Sequence, residues 1–267
     1  MKFFRSGLFV LLSLMLVWTG MSTDTSAQGK HEKELDIEAL FNGKDGTMVL
    51  KNLKNDNVFV YNQERSRERF TPESTFKVPN ALIGLQTSAV RDEYEVKRWD
   101  GITREFEDWN RDHTLASGMR HSVIWYYQDM ARDIGEERME KYVNLINYGN
   151  QDISGGIDTF WLDSSLEITV REQLDFIEKL VKEQLPFEEE HQKTAKRMMI
   201  DEEQDAYTLH GKTGTRLSDF GLGWYVGFIT TEKDTWVFAV NLDGTGTEAK
   251  NIVKETLKQM DIISEEL

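Results

Sequence analysis

Ser74 and Lys77 are the residues of this sequence whose types and spacing first indicate chemistry. They stand three positions apart where an apolar helical pattern begins, and Pro79 suits the first turn of a helix. Residues i and i+3 of a helix share a face, so a hydroxyl and an amine would lie side by side at a helix N-terminus. An amine that burial keeps neutral can take the proton of a serine and make it a nucleophile. The pattern predicts such a pair, against the alternative of a capping serine followed by a solvated lysine.

A second motif, Lys212-Thr213-Gly214, lies far downstream and is followed by Thr215. A serine with a lysine three residues later, followed along the chain by lysine-threonine-glycine, occurs in serine enzymes that recognise penicillin. Two motifs in this order are more specific than either alone, so they favour the catalytic interpretation of Ser74 and Lys77.

The composition is that of a globular protein with an acidic surface. The 267 residues include 47 acidic and 32 basic side chains, and the formal net charge is −15. This balance argues against nucleic acid or a stable membrane partner, and an anionic small molecule would need a local positive patch. The chain has no cysteine, and its five histidines show no metal-ligand spacing, so we expect neither disulfides nor a metal site.

The N-terminus has the pattern of a secretion signal. Lys2 and Arg5 precede an apolar run over residues 8–18, and small residues end at Ala27. We therefore expect a signal peptide over residues 1–27, a secreted, extracellular protein and a single catalytic domain over residues 28–267. An uncleaved anchor is the alternative.

Apolar periodicity changes along the chain from strand-like to helical and back. Strands are predicted over residues 47–53, 58–61, 206–210, 223–229 and 235–241. Helices are predicted from Ser74 onward and over residues 122–134, 137–146, 169–181 and 247–260. We expect a loose lead-in over residues 28–40 and a solvated charged loop over residues 65–69.

These elements predict an α+β fold. Its antiparallel sheet is built from N- and C-terminal strands and flanked by helices, with an all-helical lobe inserted between them. The α/β lobe would cover residues 41–90 and 201–267, and the helical lobe residues 91–200.

Three further positions have a structural and a functional interpretation. Ser122, just before an apolar helix, could be an N-cap and nothing more. Gly149, in Tyr148-Gly149-Asn150, could simply end a helix. Trp161 would by default be a buried aromatic residue with a locally bonded N–H.

Taken together, the motifs resemble those of the class D (oxacillinase-type) serine β-lactamases, a family with a β-lactamase/transpeptidase-like fold. The resemblance rests on the following segments in this order: Ser74-Thr75-Phe76-Lys77, Ser122-Val123, Tyr148-Gly149-Asn150, Trp161-Leu162-Asp163, Lys212-Thr213-Gly214 and Gly223-Trp224-Tyr225-Val226-Gly227. Class A is disfavoured because Val123 stands where that class has the aspartate of its S-D-N motif. A glutamate motif of the class A deacylation type is also missing.

The resemblance implies a role for each motif residue. Ser74 would be acylated by a β-lactam, and Lys77, carboxylated by carbon dioxide, would serve as general base. Val123 would keep that lysine desolvated, and Trp161 would donate a hydrogen bond to the carbamate. Ser122 would relay a proton to the leaving nitrogen.

The remaining roles concern the substrate. Lys212 would keep the site positive, and the N–H groups of Ser74 and Thr215 would form an oxyanion hole. The other positions expected to bind or enclose substrate are Thr213, Gly214, Tyr148 and Asn150.

The substrate carboxylate has no obvious partner. The family often has an arginine on the C-terminal helix, but this chain has none between Asn241 and Leu267. Lys254 is the nearest match, and Lys250 and Arg216 compete with it.

Two rival functions remain at this point. A penicillin-sensing domain would be acylated and would deacylate slowly, and a D-Ala-D-Ala peptidase would act on peptides. The sequence makes no prediction of the oligomeric state or of which β-lactams are hydrolysed.

Overall fold

The computed structural model describes Met1 and residues 32–264. The signal peptide expected over residues 1–27 therefore lies, beyond Met1, outside the described residues. None of the helices within residues 32–264 is both long and apolar enough to cross a bilayer.

Within the described residues, most strands lie toward the two ends of the chain and most helices lie between them. The strands are β1 (Glu32–Glu34), β2 (Gly46–Asn52), β3 (Val58–Tyr61), β4 (Val96–Lys97), β5 (His113–Thr114), β6 (Ile200–Glu203), β7 (Tyr207–Thr215), β8 (Gly223–Thr231) and β9 (Thr235–Leu242). The α-helices are α1 (Lys77–Gln86), α2 (Leu115–Arg120), α3 (Ile124–Ile134), α4 (Glu136–Leu145), α5 (Val170–Val181), α6 (Glu189–Met198) and α7 (Gly246–Gln259).

Strands from both ends of the chain form one sheet, as predicted. Its order is β1-β3-β2-β9-β8-β7-β6, and β2 pairs with β9 over its whole length, from Gly46 opposite Leu242 to Asn52 opposite Trp236. These pairs are antiparallel except for β1, which runs parallel to β3. The predicted α+β architecture is thus confirmed, with a mixed sheet whose one parallel pair, among the described strands, lies at the edge.

Sequence periodicity missed several short elements, among them β1, β6, α6 and the pair β4–β5. This pair forms a two-stranded sheet within the stretch 91–200, so the prediction of an all-helical lobe is wrong there. The loose lead-in expected over residues 28–40 is wrong for Glu32–Glu34, because an exposed edge strand can pair through its backbone without apolar alternation. The acidic run after Pro186 begins α6. Its two glutamates at the first turn, Glu189 and Glu190, favour a helix start through the dipole.

Both faces of the sheet are covered. Val49 of β2 points into a core shared with α1, α3 and α5, whereas Met48 and Leu50 point into a second core beneath α7. Alternate residues of a strand face opposite sides, so a fully buried β2 marks a three-layer arrangement. Although α5 falls within the stretch assigned to the helical lobe, it packs on β2, β8 and β9.

Arg65 corrects the prediction of a solvated loop over residues 65–69. Its side chain is buried and bonds Asp45 at 2.8 Å, Asp243 at 2.7 Å and the Asn241 side chain at 3.0 Å. An arginine fork can serve several acceptors at once, and these partners lie in distant segments of the chain. Arg65 therefore anchors the segment that leads to Ser74.

The sequence Thr169-Val170-Arg171-Glu172 has the pattern of a capping box, and this cap is present at the start of α5. Glu172 N donates to Thr169 Oγ1 at 3.0 Å, and Thr169 N donates to Glu172 Oε2 at 2.9 Å.

Thr169→Ala should destabilise the protein by about 1 kcal/mol, because a free helix N–H loses its acceptor. Thr169→Ser, which retains the acceptor, should lose less than half of this. Urea unfolding followed by circular dichroism measures both changes. Equal stability of wild type and Thr169→Ala would show that the cap contributes nothing.

Candidate active site

The serine and lysine of the first motif meet as their spacing predicts. A 3-10 turn, Glu73–Phe76, leads directly into α1, and Lys77 Nζ donates to Ser74 Oγ at 2.8 Å. Lys77 is fully buried, while Ser74 keeps 8% of its surface exposed. The hydroxyl thus faces solvent-accessible space, and the amine lies behind it.

The surroundings of Lys77 favour its neutral form. Burial holds the pKa of Lys77 well below its usual range, and the positive charge of Lys212 lowers it further; Glu73 acts in the opposite direction. An amine without its proton can accept one from a hydroxyl or react with an electrophile.

Ser122 and Lys212 form a second polar pair. Lys212 Nζ donates to Ser122 Oγ at 3.1 Å and to the Thr213 carbonyl at 2.9 Å, and burial lowers the pKa of Lys212 to about 8. Val123, not Ser122, occupies the N-cap position of α3. Ser122 instead adopts a left-handed conformation with φ of 55°, which non-glycine residues rarely use outside functional or tightly constrained sites.

Glycine lets β7 approach the serine turn. A Cβ atom on Gly214 would lie 3.1 Å from the Pro72 carbonyl oxygen and 3.3 Å from the Thr75 side chain. The strand that carries Lys212 and Thr215 therefore packs directly against the turn that carries Ser74.

A cleft of about 280 Å³ opens in front of these groups. Four of its lining residues belong to the predicted motifs: Ser74, Ser122, Thr213 and Thr215. The others were not identified from the sequence: Phe106, Trp109, His121, Ile124, Leu217, Phe220, Thr245 and Thr247. Half-exposed aromatic side chains such as Phe220 carry no sequence signal that separates them from ordinary surface residues.

Trp161 lies behind the cleft with its donor unused. Its side chain is fully buried, stacks on Phe76 with ring centroids 5.4 Å apart, and its Nε1 has no hydrogen-bond partner. Buried N–H groups without an acceptor are rare and costly. This donor belongs to a side chain that stacks on the serine turn, and it lacks an acceptor among the described side chains.

Neither Tyr148 nor Asn150 is among the residues that line the cleft. The buried Tyr148 hydroxyl donates to Gln173, whose amide donates to Thr75 at 2.8 Å in the serine turn. Asn150 bonds the Ser165 carbonyl and the Glu167 amide. The structure places the Tyr148 ring in the core and Asn150 at the surface, and their contribution to a substrate wall stays a prediction.

The expected carboxylate partner, Lys254, is also placed elsewhere. It forms an ion pair with Glu202 at 2.7 Å, and Lys250 pairs with Asp201 at 2.8 Å. Neither lines the cleft. In the sequence Arg216 stands between Thr215 and Leu217, which both line the cleft. Its guanidinium group forms an ion pair with Asp219.

Within residues 32–264, no cluster of three or more histidine or acidic side chains could hold a metal ion.

Comparison with known proteins places this site in a family. Residues 39–260 match the family model described as the penicillin binding protein transpeptidase domain. The chain is 56% identical to the probable beta-lactamase YbxI of Bacillus subtilis, over 97% of this chain and 99% of that protein. It is 42% identical to beta-lactamase OXA-48 of Klebsiella pneumoniae, over 82% and 84% of the two chains.

Solved structures agree with the sequence comparison. A class D beta-lactamase from Bacillus subtilis superposes with a TM-score of 0.85 at 60% identity, covering 86% of this chain and 97% of that chain.

Proposed function

The chain belongs to the class D serine β-lactamases and hydrolyses the β-lactam ring, and from this premise we propose how its own residues carry out the reaction. The ring is opened through an acyl-enzyme on Ser74, and Lys77 acts as general base in the form of its carbamate. The observation that carries this proposal is a buried Lys77 amine 2.8 Å from Ser74 Oγ.

The residues around Lys77 fit a carbamate. Only a neutral amine reacts with carbon dioxide, and burial among apolar neighbours, including the fully buried Val123, favours that form. The unpartnered Nε1 of Trp161 offers a donor for a carbamate oxygen. Bound there, the group supplies acceptor oxygens that can take a proton first from Ser74 and later from water.

The acylation step follows from the two polar pairs. Ser74 Oγ attacks the lactam carbonyl carbon as its proton passes to the base, and the ring C–N bond breaks. Ser122, bonded to Lys212 at 3.1 Å, delivers a proton to the departing nitrogen. The N–H groups of Ser74 and Thr215 stabilise the charge on the carbonyl oxygen.

The substrate carboxylate is held by the positive field of Lys212 and by threonine hydroxyls of the cleft, which Thr213, Thr215 and Thr247 line. The Thr215 hydroxyl accepts a hydrogen bond from Gly246 N, and a hydroxyl that accepts one bond can donate another. This assignment replaces Lys254, whose ammonium is occupied by Glu202.

The apolar part of the cleft suits an apolar side chain on the β-lactam. Phe106, Trp109, Leu217 and Phe220 lie on its rim and would lose solvent exposure against such a group.

We also infer that the protein is secreted after cleavage near Ala27. This inference rests on the charged start, apolar run and small-residue end of residues 1–27.

Incubation with a slowly hydrolysed penicillin should add one drug mass to the peptide that contains Ser74, because this hydroxyl alone has a neutral amine beside it in the cleft. Intact-protein and peptide mass spectrometry measure the adduct. Ser74→Ala should show none. An adduct on Ser122 in the wild type would overturn the assignment.

Trp161→Phe should acylate normally but accumulate as the acyl-enzyme, because it keeps the ring against Phe76 and removes the N–H. A hydrogen bond from one donor to a charged acceptor contributes about 1.5–3 kcal/mol. Its loss should therefore lower the rate of deacylation at ambient carbon dioxide by about ten-fold or more. Excess bicarbonate should partly restore turnover.

The pH dependence of the carbamate has a defined sign. Falling pH protonates Lys77 and removes the form that reacts with carbon dioxide, so degassed enzyme should lose turnover as pH falls and regain it with bicarbonate. Burst and steady-state kinetics on a chromogenic cephalosporin separate the two steps. Equal rates with and without bicarbonate at mildly acidic pH would exclude the carbamate, and a wild type stalled in excess bicarbonate would indicate a sensor domain.

Lys254→Ala should change KM by less than about two-fold, because a partly exposed ion pair remote from the cleft contributes little. Thr215→Val should raise KM more, because it removes a hydroxyl that lines the cleft. Steady-state kinetics on both variants test the assignment. A large rise of KM in Lys254→Ala alone would restore the prediction made from the sequence.

A further inference from the structure

Glu73, the residue before Ser74, is a buried acid in an unusual backbone conformation. Only 2% of its surface is exposed, and its φ of 51° lies in the left-handed region that non-glycine residues rarely adopt. No lysine or arginine of residues 32–264 forms an ion pair with its carboxyl group. A buried acid held in a strained position is expected to have a specific task.

The hydrogen bonds of Glu73 connect the serine turn to the segment Trp161–Asp163. Glu73 N donates to the Trp161 carbonyl at 3.0 Å, and Asp163 N donates to Glu73 Oε1 at 2.9 Å. Thr71 Oγ1 donates to the same oxygen at 2.7 Å. One residue therefore holds both ends of the three-residue segment that carries the unpartnered indole.

We propose that Glu73 is a positioning residue that holds Trp161 in place and thereby directs its N–H toward the group formed on Lys77. This inference rests on the proposed function of Lys77. Phe76 holds the other side of the indole by stacking. Without the Glu73 side chain, the Asp163 amide loses its acceptor and the Trp161–Asp163 segment loses one of its two attachments to residue 73.

The charges around Glu73 are compatible with this role. Burial raises the pKa of Glu73 to about 7. The negative charge of Asp163 also raises this pKa. The hydrogen bonds from Thr71 and the Asp163 amide, and the positive charge of Arg216, lower it. Lys77 is the remaining ionisable group that it influences. A protonated Glu73 still accepts both hydrogen bonds through Oε1 and adds no second negative charge beside a carbamate.

Three variants separate the side-chain contact from the backbone conformation. Glu73→Gln keeps an acceptor oxygen of the same reach, whereas Glu73→Ala removes it and retains the left-handed residue. Glu73→Gly also removes the side chain but relieves the backbone, so it controls for strain and for poor folding of Glu73→Ala.

The first measurement is hydrogen–deuterium exchange of peptides that cover residues 158–166, which does not depend on activity or on carbon dioxide. Exchange should be faster in Glu73→Ala and Glu73→Gly than in wild type, and unchanged in Glu73→Gln. Wild-type protection in Glu73→Gly would overturn the proposal.

The second measurement is the bicarbonate concentration that gives half-maximal deacylation, together with the carbon-13 NMR signal of the carbamate after labelling with bicarbonate. Removal of the acceptor should raise this concentration by about ten-fold with little change in acylation, and Glu73→Gln should stay within about three-fold of wild type. A Glu73→Gln variant as defective as Glu73→Gly would also overturn the proposal. If the wild type itself shows no carbamate signal and no bicarbonate dependence, the proposed function of Lys77 fails. If the wild type shows both, and Glu73→Gly has the same signal and bicarbonate dependence, only the role of Glu73 is refuted.

Discussion

Burial of the Lys77 amine is the constraint on which the site depends. A lysine in water would carry a proton and could not act as a base, whereas the interior of this protein makes the charged form costly. Burial of this amine lowers the free energy of unfolding, because a polar group with one hydrogen bond occupies a core position that an apolar side chain could fill. The neighbouring positive charge of Lys212, also buried, acts in the same direction.

The fold supplies this environment from both ends of the chain. The sheet brings β7 against the serine turn, with Gly214 at the contact, and the turn between α2 and α3 brings Ser122 to Lys212. Tyr148 and Gln173 support the turn from the core side, and Trp161 closes the space behind it. The groups proposed to react are therefore held by packing from several directions.

Sequence reasoning succeeded where the determining contact is local. The spacing of Ser74 and Lys77, the capping box at Thr169 and the β2–β3 hairpin each depend on residues close along the chain. It failed where a residue distant in the sequence determines the contacts of a side chain. Lys254 lies on a correctly predicted helix, but its partner Glu202 belongs to a strand that the periodicity did not reveal.

The surroundings of Arg65 and Tyr148 also depend on distant partners. A charged run is usually solvated, and only the assembled fold shows that acceptors at Asp45 and Asp243 converge on one guanidinium. A motif tyrosine could equally face the cleft or the core, and the position of Gln173 on α5 determines which. The cleft rim, including Phe106 and Phe220, has no local pattern, so it could not be predicted at all.

The apolar core on the α5 side of the sheet has a consequence for how the protein loses its shape. It runs without a break from Val49 and Val226 in the sheet to Met139 and Val143 in α4, and Phe76 and Trp161 lie within it. No gap in this core separates the residues around Ser74 and Lys77 from those that pack the helices onto the sheet, and the second core lies on the other face of the same strands. Melting should therefore be a single cooperative event in which the catalytic pocket and the global structure disappear at one temperature, with no partly folded state that keeps the pocket.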